Sequence, residues 1–290
     1  LKQLSADLSV VVLEKGSEPG AHILSGAVMD PRALTELLPD WQAQGAPLLQ
    51  PVTGDEVLFL NARGAMRTPD WLVPACLHND GNFVISLGAV TKWLAEQAEA
   101  LGVEIFPGFA ASEPVFDDKG AVCGVRIGDM GVAKDGSHKP SYTQGIDIHA
   151  PITVFAEGVR GHISKQLIKR YELDKYCDPQ TYSVGMKELW QVPAGRVTPG
   201  RVIHTFGWPS DNATYGGSFI YHLDQDRIAI GYVCGLDYQD PKLMPFELFQ
   251  QLKHHPLIRP MLEGGTILSG GARAISAGGF QSLPQVEMPG

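Results

Sequence analysis

Cysteine is sparse in this sequence and occurs without a metal-binding pattern. The four cysteines, Cys76, Cys123, Cys177 and Cys234, lie about fifty residues apart, and no two of them form a CxxC pair. Zinc sites and iron–sulfur clusters are commonly built from closely spaced ligands, so the sequence predicts neither in this chain. Scattered thiols in a chain of this length favour a reducing compartment.

Basic residues are too few for a nucleic-acid partner, and long apolar runs are missing. The 23 Lys and Arg against 32 Asp and Glu give a net charge of −9, whereas nucleic-acid binding needs a basic stripe. No apolar run approaches the roughly 20 residues of a membrane-spanning helix, and no signal peptide is visible. With 44% apolar and 19% charged residues, the composition is that of a folded globular protein.

The first 170 residues alternate predicted strands and helices. The apolar run at residues 8–14 is typical of a parallel strand covered on both faces. Residues 30–38 predict a helix with an Asp N-cap and Pro at its first position. Residues 88–102 predict an amphipathic helix that leads directly into a strand. Residues 152–158 predict another buried strand, followed by a helix over residues 160–170.

The pattern changes after Gln180. Four segments of alternating polarity predict a mostly antiparallel sheet: TYSVGMKELW, GRVIHTFGW, TYGGSFIYHL and RIAIGYVCG. Two helical stretches follow, and the last segment is rich in glycine. The neighbouring His254 and His255 point to different sides of a helix, which makes them a poor metal ligand pair and favours a structural role.

Two predicted strand ends carry candidate nucleotide-binding residues. Glu14 ends the first strand, where dinucleotide folds place an acid that accepts hydrogen bonds from ribose hydroxyls; a surface glutamate that ends a strand is the alternative. Ala156, Glu157 and Gly158 end the second, where glycine lets the backbone approach a ligand and the next helix N-terminus can face phosphate. An ordinary strand–helix turn is the alternative there.

Three further segments carry open interpretations. The small residues of the loop at 21–28 permit close packing against a flat ring, or form a plain loop. Gly216 and Gly217 lie inside a predicted strand, where glycine marks the approach of a ligand or another backbone, or a β-bulge. The apolar stretch at residues 69–77 could dip into one face of a bilayer with Trp71 at the headgroups, or pack on the core.

Eight longer stretches of the sequence are distinctive: EKGSEPGAHILSGAV, LAEQAEALGVEIFPGFAASE, VFAEGVRGHISKQL, PQTYSVGMKELW, HTFGWP, TYGGSFIYHL, KHHPLIRPMLEGG and GARAISAGGFQSLP. In this order, and over nearly the whole chain, they resemble one family, the electron-transfer flavoprotein–ubiquinone oxidoreductases. The resemblance implies an α+β fold, with a Rossmann-like FAD-binding domain of the glutathione-reductase type interleaved with an antiparallel quinone-binding domain.

The resemblance also implies an activity. Members pass electrons from reduced electron-transfer flavoprotein through FAD to ubiquinone, accompanied by a [4Fe–4S] cluster. The implied partners are that flavoprotein, ubiquinone and a membrane surface, with no nucleic acid. The implied location is monotopic on an inner membrane, either the bacterial cytoplasmic membrane or the matrix side of the mitochondrial one. Because the cofactor carries the chemistry, no catalytic acid–base pair is expected.

Carried over residue by residue, the resemblance assigns binding roles. The FAD residues are Glu14, Lys15, His22, Ile23, Leu24, Ser25, Gly26, Ala156, Glu157 and Gly158. The quinone residues are Tyr215, Gly216 and Gly217. The membrane-contacting residues are Trp71, Leu72, Val73, Leu77, Leu257 and Ile258.

The resemblance predicts domains and a fragment. The FAD domain is expected at 1–56 and 81–170, a membrane-facing hairpin at 57–80, the quinone domain at 171–265 and a return to the FAD domain at 266–290. A phosphate loop before Leu1, a flavin turn after Gly290 and the cluster cysteines are expected outside this chain.

Two alternative functions stay open. One is a related FAD-dependent dehydrogenase or geranylgeranyl-reductase-like enzyme with another acceptor. The other is a flavin-free membrane-binding module.

Overall fold

The chain is organised as two interleaved units. The computed structural model describes residues 5, 7–24 and 26–288. Unit 1 comprises Leu1–Pro19, Ala95–Gln180 and Ser276–Gly290, and unit 2 comprises Gly20–Leu94 and Thr181–Ile275. The functional domain boundaries that the resemblance implies stay predictions.

Helices and strands alternate along both units. The α-helices of the described residues are α1 (Arg32–Leu37), α2 (Leu87–Ala100), α3 (His162–Tyr171), α4 (Pro245–Lys253) and α5 (Arg259–Leu262), and short 3₁₀ helices span Asp70–Leu72, Ala75–Leu77 and Phe280–Ser282. The strands are β1 (Val11–Glu14), β2 (Ala27–Met29), β3 (Gln50–Pro51), β4 (Gly54–Asn61), β5 (Gly64–Arg67), β6 (Phe83–Ile85), β7 (Glu104–Pro107), β8 (Ala111–Phe116), β9 (Val122–Ile127), β10 (Met130–Val132), β11 (His138–Thr143), β12 (Asp147–His149), β13 (Tyr182–Gln191), β14 (Arg201–Gly207), β15 (Gly216–His222), β16 (Arg227–Gly235) and β17 (Thr266–Ser276).

Unit 1 contains a parallel strand pair and two antiparallel groups. β1 and β7 pair in parallel, with Glu14 opposite Pro107. β8 and β9 form a hairpin, which the sequence ASEPVFDDKGAVCGVRIGD predicts with its turn at Asp-Asp-Lys-Gly, and β12 adds to β9. Asp117 fixes the hairpin turn, because its Oδ1 accepts the N–H groups of Lys119 and Ala121 at 2.9 and 2.8 Å. This prediction is therefore confirmed.

The turn from α2 to β7 also follows its prediction. Gly102 has φ +82°, a conformation that glycine adopts without a Cβ penalty. Its N–H donates to the Glu99 carbonyl at 2.8 Å, and the Val103 N–H donates to the Ala98 carbonyl at 3.1 Å. These two bonds form a Schellman motif, which ends the helix and starts the strand.

Unit 2 is built on a seven-stranded sheet. The strand order is β17-β13-β16-β15-β14-β4-β5. β13, β16, β15 and β14 pair antiparallel in turn, whereas β14 and β4 pair in parallel. This confirms the mostly antiparallel sheet predicted after Gln180. A smaller sheet in the same unit has the order β2-β6-β3.

The two faces of the large sheet differ in character. One face carries the buried isoleucines Ile203, Ile220 and Ile230, which cluster with Phe249 and Leu252 of α4. The other, called the Lys187 face, is defined by one row of directly paired residues: Lys187, Gly231, Phe219, His204 and Val57. Directly paired residues share a face because side chains alternate along a strand. The α4 side therefore forms the larger buried cluster, and the Lys187 face carries a smaller one that includes Leu189, Val202 and Ala229.

Three local predictions were wrong. Residues 152–158 form no strand, and Ile152 and Val154 are exposed, because this apolar segment pairs with no described strand. The first helix begins at Arg32 rather than after an Asp30 N-cap, although Asp30 Oδ1 still accepts the Arg32 N–H at 3.0 Å. Strand β1 is not covered on both faces as predicted, because Val11 and Val12 are exposed. The glycine-rich segment near the C-terminus, for which no element was predicted, forms the 11-residue strand β17. Among the described residues, no helix has the length and apolarity to cross a bilayer.

Candidate functional site

Glu14 lies at the carboxyl end of the parallel strand pair, as predicted. It is the last residue of β1, and its Oε1 accepts the N–H of Gly16 in the following loop. The neighbouring Lys15 is exposed. Ligands of α/β sheets bind outside the carboxyl ends of parallel strands, so the strand end has the position that a ribose-binding acid needs. The ribose contact itself stays a prediction.

The Glu157 carboxylate occupies the N-terminus of α3. Its oxygens accept the N–H of Ile163 at 3.2 Å, and the N–H and hydroxyl of Ser164, both at 2.6 Å. A Cβ on Gly161 would overlap the Glu157 side chain, which explains the second glycine of the AEGVRG sequence. A second anion is disfavoured there by charge repulsion, so the prediction that this helix end faces phosphate does not fit. Cofactor contacts of Ala156, Glu157 and Gly158 stay predictions.

We expect Glu157→Gln to destabilise unit 1 in a pH-dependent way. Burial raises the pKa of Glu157, but the hydrogen bonds from Ser164 and Ile163 outweigh it and hold the pKa below its ordinary value. The stabilisation is therefore present above the unfolded-state pKa and lost as the pH falls through the native one. At pH 7 the loss should be roughly 0.5–2 kcal/mol, the usual range for a helix cap.

Urea titrations of both proteins between pH 3 and pH 8 measure this difference. The exposed Glu113 of the same unit provides the matched variant, Glu113→Gln, which should change little. A Glu157→Gln effect of constant size across the whole pH range would show that the carboxylate charge plays no part.

The loop at residues 22–26 is held closely to the large sheet within unit 2. The carbonyl of His22 accepts a hydrogen bond from Arg273 at 2.6 Å, and the carbonyl of Gly26 accepts one from Lys187 at 2.7 Å. Gly26 has φ +93°, and a Cβ there would overlap the Ala229 side chain. The predicted residue Ser25 lies outside the described residues. Small residues thus allow close packing here, but the observed neighbour is strand β16, and packing against a flat ring stays a prediction.

Lys187 is a residue that the sequence interpretation missed. Its side chain is half-buried on β13, and burial lowers the pKa of its ammonium group. The only sign in the sequence is a lysine, next to Glu188, within the otherwise apolar and small pattern SVGMKELW. Its bond to Gly26 joins the predicted flavin loop to the Lys187 face of the sheet.

Gly216 and Gly217 begin β15 without a β-bulge. The register with β16 is continuous from Gly216 to His222, which excludes the bulge interpretation. A Cβ on Gly216 would lie 2.7 Å from the Val233 carbonyl oxygen, and one on Gly217 would lie 2.6 Å from that of Thr205. Close approach of neighbouring backbone therefore explains both glycines. Quinone binding by their N–H groups stays a prediction.

The predicted membrane residues separate into exposed and buried ones. Two 3₁₀ turns, each preceded by a proline, contain the exposed residues Trp71, Leu72 and Leu77. Val73 lies between the two turns and is half-buried. The loop is anchored by Asn79, whose backbone N–H and side-chain amide both donate to the Asp55 carboxylate at 3.0 Å.

The predicted membrane contact of Ile258 is wrong. Ile258 is 0% exposed and packs in the core cluster beside α4, while its neighbour Leu257 is half-buried against the same cluster. Ile258 directly precedes α5 and is part of the buried cluster. Its apolar character alone did not distinguish a core position from a membrane contact. His255 is buried too, and its Nε2 lies 2.9 Å from the Asn61 carbonyl, in agreement with the structural role predicted for it.

The fold is that of a group of flavoprotein oxidoreductases and halogenases. A geranylgeranyl bacteriochlorophyll reductase-like protein from Thermoplasma acidophilum superposes with a TM-score of 0.67 at 15% identity, covering 95% of this chain and 62% of that one. A flavoprotein/dehydrogenase from Cytophaga hutchinsonii gives a TM-score of 0.57 at 14% identity, with 95% and 62% covered. These likenesses concern the fold, and they confirm the predicted α+β class.

The sequence comparisons are more specific. Residues 182–275 match the ubiquinone-binding domain of ETF-QO. The electron transfer flavoprotein-ubiquinone oxidoreductase of Pseudomonas aeruginosa is 51% identical over 100% of this chain and 54% of its own length. The mitochondrial proteins of that name from Homo sapiens and Dictyostelium discoideum are each 50% identical, over 100% of this chain and 48% of theirs. The predicted resemblance is confirmed: along its whole length, the chain is similar to a segment of electron transfer flavoprotein-ubiquinone oxidoreductases. It spans about half the length of these relatives.

Proposed function

We propose that a protein of the relatives' length that contains this chain, called the full-length protein below, is an FAD-dependent oxidoreductase. It takes electrons from reduced electron-transfer flavoprotein and delivers them to ubiquinone. The match of residues 182–275 to a ubiquinone-binding domain carries the proposal. Those residues include strands β13 to β16 and nearly all of β17, the larger part of the unit 2 sheet.

Several features of the described residues are compatible with a flavin. The loop at residues 22–26 is drawn close to the sheet by Gly26, and the ammonium of Lys187 lies at its end. Glu14 would hold ribose hydroxyls, with Lys15 beside it, and Ala156 and Gly158 would contribute backbone groups. When bound, FAD supplies the electron-transfer chemistry, and the protein supplies binding, orientation and electrostatics.

The acceptor end of the site is proposed at the start of β15. Gly216 and Gly217 would present backbone N–H groups to a quinone carbonyl oxygen, and Tyr215 would cover the head group. The Tyr215 side chain is 70% exposed, and its backbone carbonyl is already bound by the Gly235 N–H at 2.8 Å. The aromatic ring is therefore free for a ligand without disturbing the sheet.

Membrane contact is proposed through the exposed loop. The lipid surface would be contacted by Trp71, Leu72, Val73 and Leu77 of this loop and by Leu257, which precedes α5. Ile258 is left out because it is buried. An apolar quinone would then reach its site without crossing water. The proposed location is an inner membrane, bacterial or mitochondrial on the matrix side.

The [4Fe–4S] cluster is not assigned to this chain. In the part of the chain that the structure describes, no three His, Cys, Asp or Glu residues come together as metal ligands. We propose that its ligands lie in the portion of the relatives that this chain does not cover. An enzyme with another electron acceptor stays the alternative prediction. The geranylgeranyl reductase-like structure, at 15% identity, bears on the fold alone and does not decide between the two acceptors.

We expect Tyr215→Ala to weaken ubiquinone use selectively in the full-length protein with bound FAD. Loss of one aromatic contact is worth about 0.5–1.5 kcal/mol, so KM for ubiquinone should rise roughly 2- to 13-fold. Flavin content and flavin reduction by electron-transfer flavoprotein should stay unchanged. Steady-state kinetics with varied ubiquinone, together with anaerobic reduction by the donor, measure both.

Tyr176→Ala is the matched control, because Tyr176 is also exposed, at 86%, but lies in unit 1. An unchanged KM for ubiquinone in Tyr215→Ala would contradict the proposed quinone site at the start of β15. A wild-type protein that holds FAD but reduces no quinone would reject the proposed function itself.

A further inference from the structure

The charge of Lys187 has no acidic partner within the described residues. Its Nζ donates to the Gly26 carbonyl at 2.7 Å, and no described carboxylate lies within ion-pair distance of it. The next residue of the strand behaves differently, since Glu188 is paired with Lys253 at 2.9 Å. A half-buried ammonium group without a counter-ion is costly to keep charged. Retaining one at this position calls for a function.

The surroundings of the Lys187 ammonium are shaped by a glycine. Lys187 is paired with Gly231, and Gly231 with Phe219. A Cβ on Gly231 would overlap the Phe219 ring, so the absence of a side chain lets this ring lie across β16. The ring centroid is 5.8 Å from the Lys187 Nζ. The ammonium thus has an aromatic ring on one side and a loop carbonyl on another, and an ammonium has three donors in total.

The bond to the Gly26 carbonyl places the Lys187 ammonium beside the loop that is proposed to line the flavin. Gly26 ends the loop that is proposed to line the isoalloxazine ring, and it packs closely on Ala229 of β16. An ammonium that binds this carbonyl lies at the edge of the proposed flavin site. Two-electron reduction of an isoalloxazine by the donor flavoprotein, with uptake of one proton, leaves one negative charge on the ring. A cation a few ångströms away stabilises that charge.

We propose that Lys187 is a positioning residue whose ammonium balances the negative charge that reduction places on the bound flavin. The inference rests on the proposed function, because it takes the flavin to lie against residues 22–26. The expected consequence is a reduction potential of the flavin that is higher with Lys187 than without it. The same cation should favour addition of sulfite to the oxidised ring, because the adduct carries the anionic reduced-ring structure.

The test uses the full-length protein with bound FAD. Lys187→Met should make the flavin reduction potential more negative in a spectroelectrochemical titration and weaken sulfite binding about tenfold or more. Lys187→Arg should restore both values towards those of the wild type. Lys242→Met removes the same charge from an exposed position of the same unit and should change neither.

Unaltered potential and sulfite affinity in Lys187→Met, with flavin still bound, would overturn the proposal. If that variant loses its flavin, Lys187→Gln keeps a hydrogen-bond donor for Gly26 without the charge, and the same comparison decides. If the wild-type protein holds flavin and reduces ubiquinone, and Lys187→Met changes neither the reduction potential nor the sulfite affinity, this inference alone is rejected. A wild-type protein that binds no flavin rejects both it and the proposed function.

Discussion

Glu188→Ala is expected to lower the free energy of unfolding by roughly 3–5 kcal/mol, the usual cost of removing one partner from a buried ion pair. The Glu188 and Lys253 side chains are only 11% and 12% exposed. Both carboxylate oxygens accept hydrogen bonds from Lys253, at 3.0 and 2.9 Å, and one also accepts the Trp190 indole N–H at 2.8 Å. The variant therefore leaves the ammonium of α4 buried without a counter-ion and the indole without its acceptor.

Chemical denaturation followed by tryptophan fluorescence measures this effect, because Trp190 contacts the pair. Glu263→Ala is the matched control, since Glu263 pairs with Arg259 at an exposed position and such pairs contribute about 0–1 kcal/mol. Replacing both buried partners, in Glu188→Leu with Lys253→Met, should restore much of the loss. Equal effects of Glu188→Ala and Glu263→Ala would mean that the buried pair does not tie α4 to the sheet.

Gly26→Ala is expected to destabilise the protein by roughly 2–5 kcal/mol, combining a disfavoured backbone conformation with overpacking. Gly26 has φ +93°, and an added Cβ would overlap that of Ala229 on β16. Relief of the overlap requires the loop to move off the sheet, which also displaces the Gly26 carbonyl from Lys187. The full-length protein should therefore lose flavin as well as stability.

Gly81→Ala separates the two causes. Gly81 has φ +81°, but an added Cβ would find no atom within 4 Å. Its cost should be only the conformational part, about 1–2 kcal/mol, with no loss of flavin. The denaturation midpoint and the flavin-to-protein absorbance ratio of both variants test this. Similar values for the two alanine variants would refute close packing of the loop.

Local rules predicted much of the fold because they act through neighbouring residues. Gly102 ends α2 and Asp117 shapes the β8–β9 turn by bonds within a few residues, and alternation alone indicated the strands of the large sheet. Residues 152–158 show the limit of this reasoning. Their apolar pattern is that of a strand, but a strand also needs a hydrogen-bonding partner from elsewhere in the chain.

The candidate site was less predictable, since its features depend on contacts that no local sequence pattern specifies. Glu157 was predicted to contact a cofactor. Its carboxylate instead accepts the N–H of Ser164 in α3, seven residues further along the chain. Ile258 has the composition of a membrane contact and lies in the core. Lys187 matters because of Gly26, which lies 161 positions away in the sequence. None of these relations leaves a pattern in a single sequence.

The position of the flavin ring in the full-length protein tests the central claim most directly. A crystal structure with FAD and a ubiquinone analogue bound should place the isoalloxazine against residues 22–26, on the Lys187 face of the unit 2 sheet, with the quinone head group next to Gly216 and Gly217. A ring bound away from this loop, with Lys187 contacting neither cofactor nor quinone, would contradict the account.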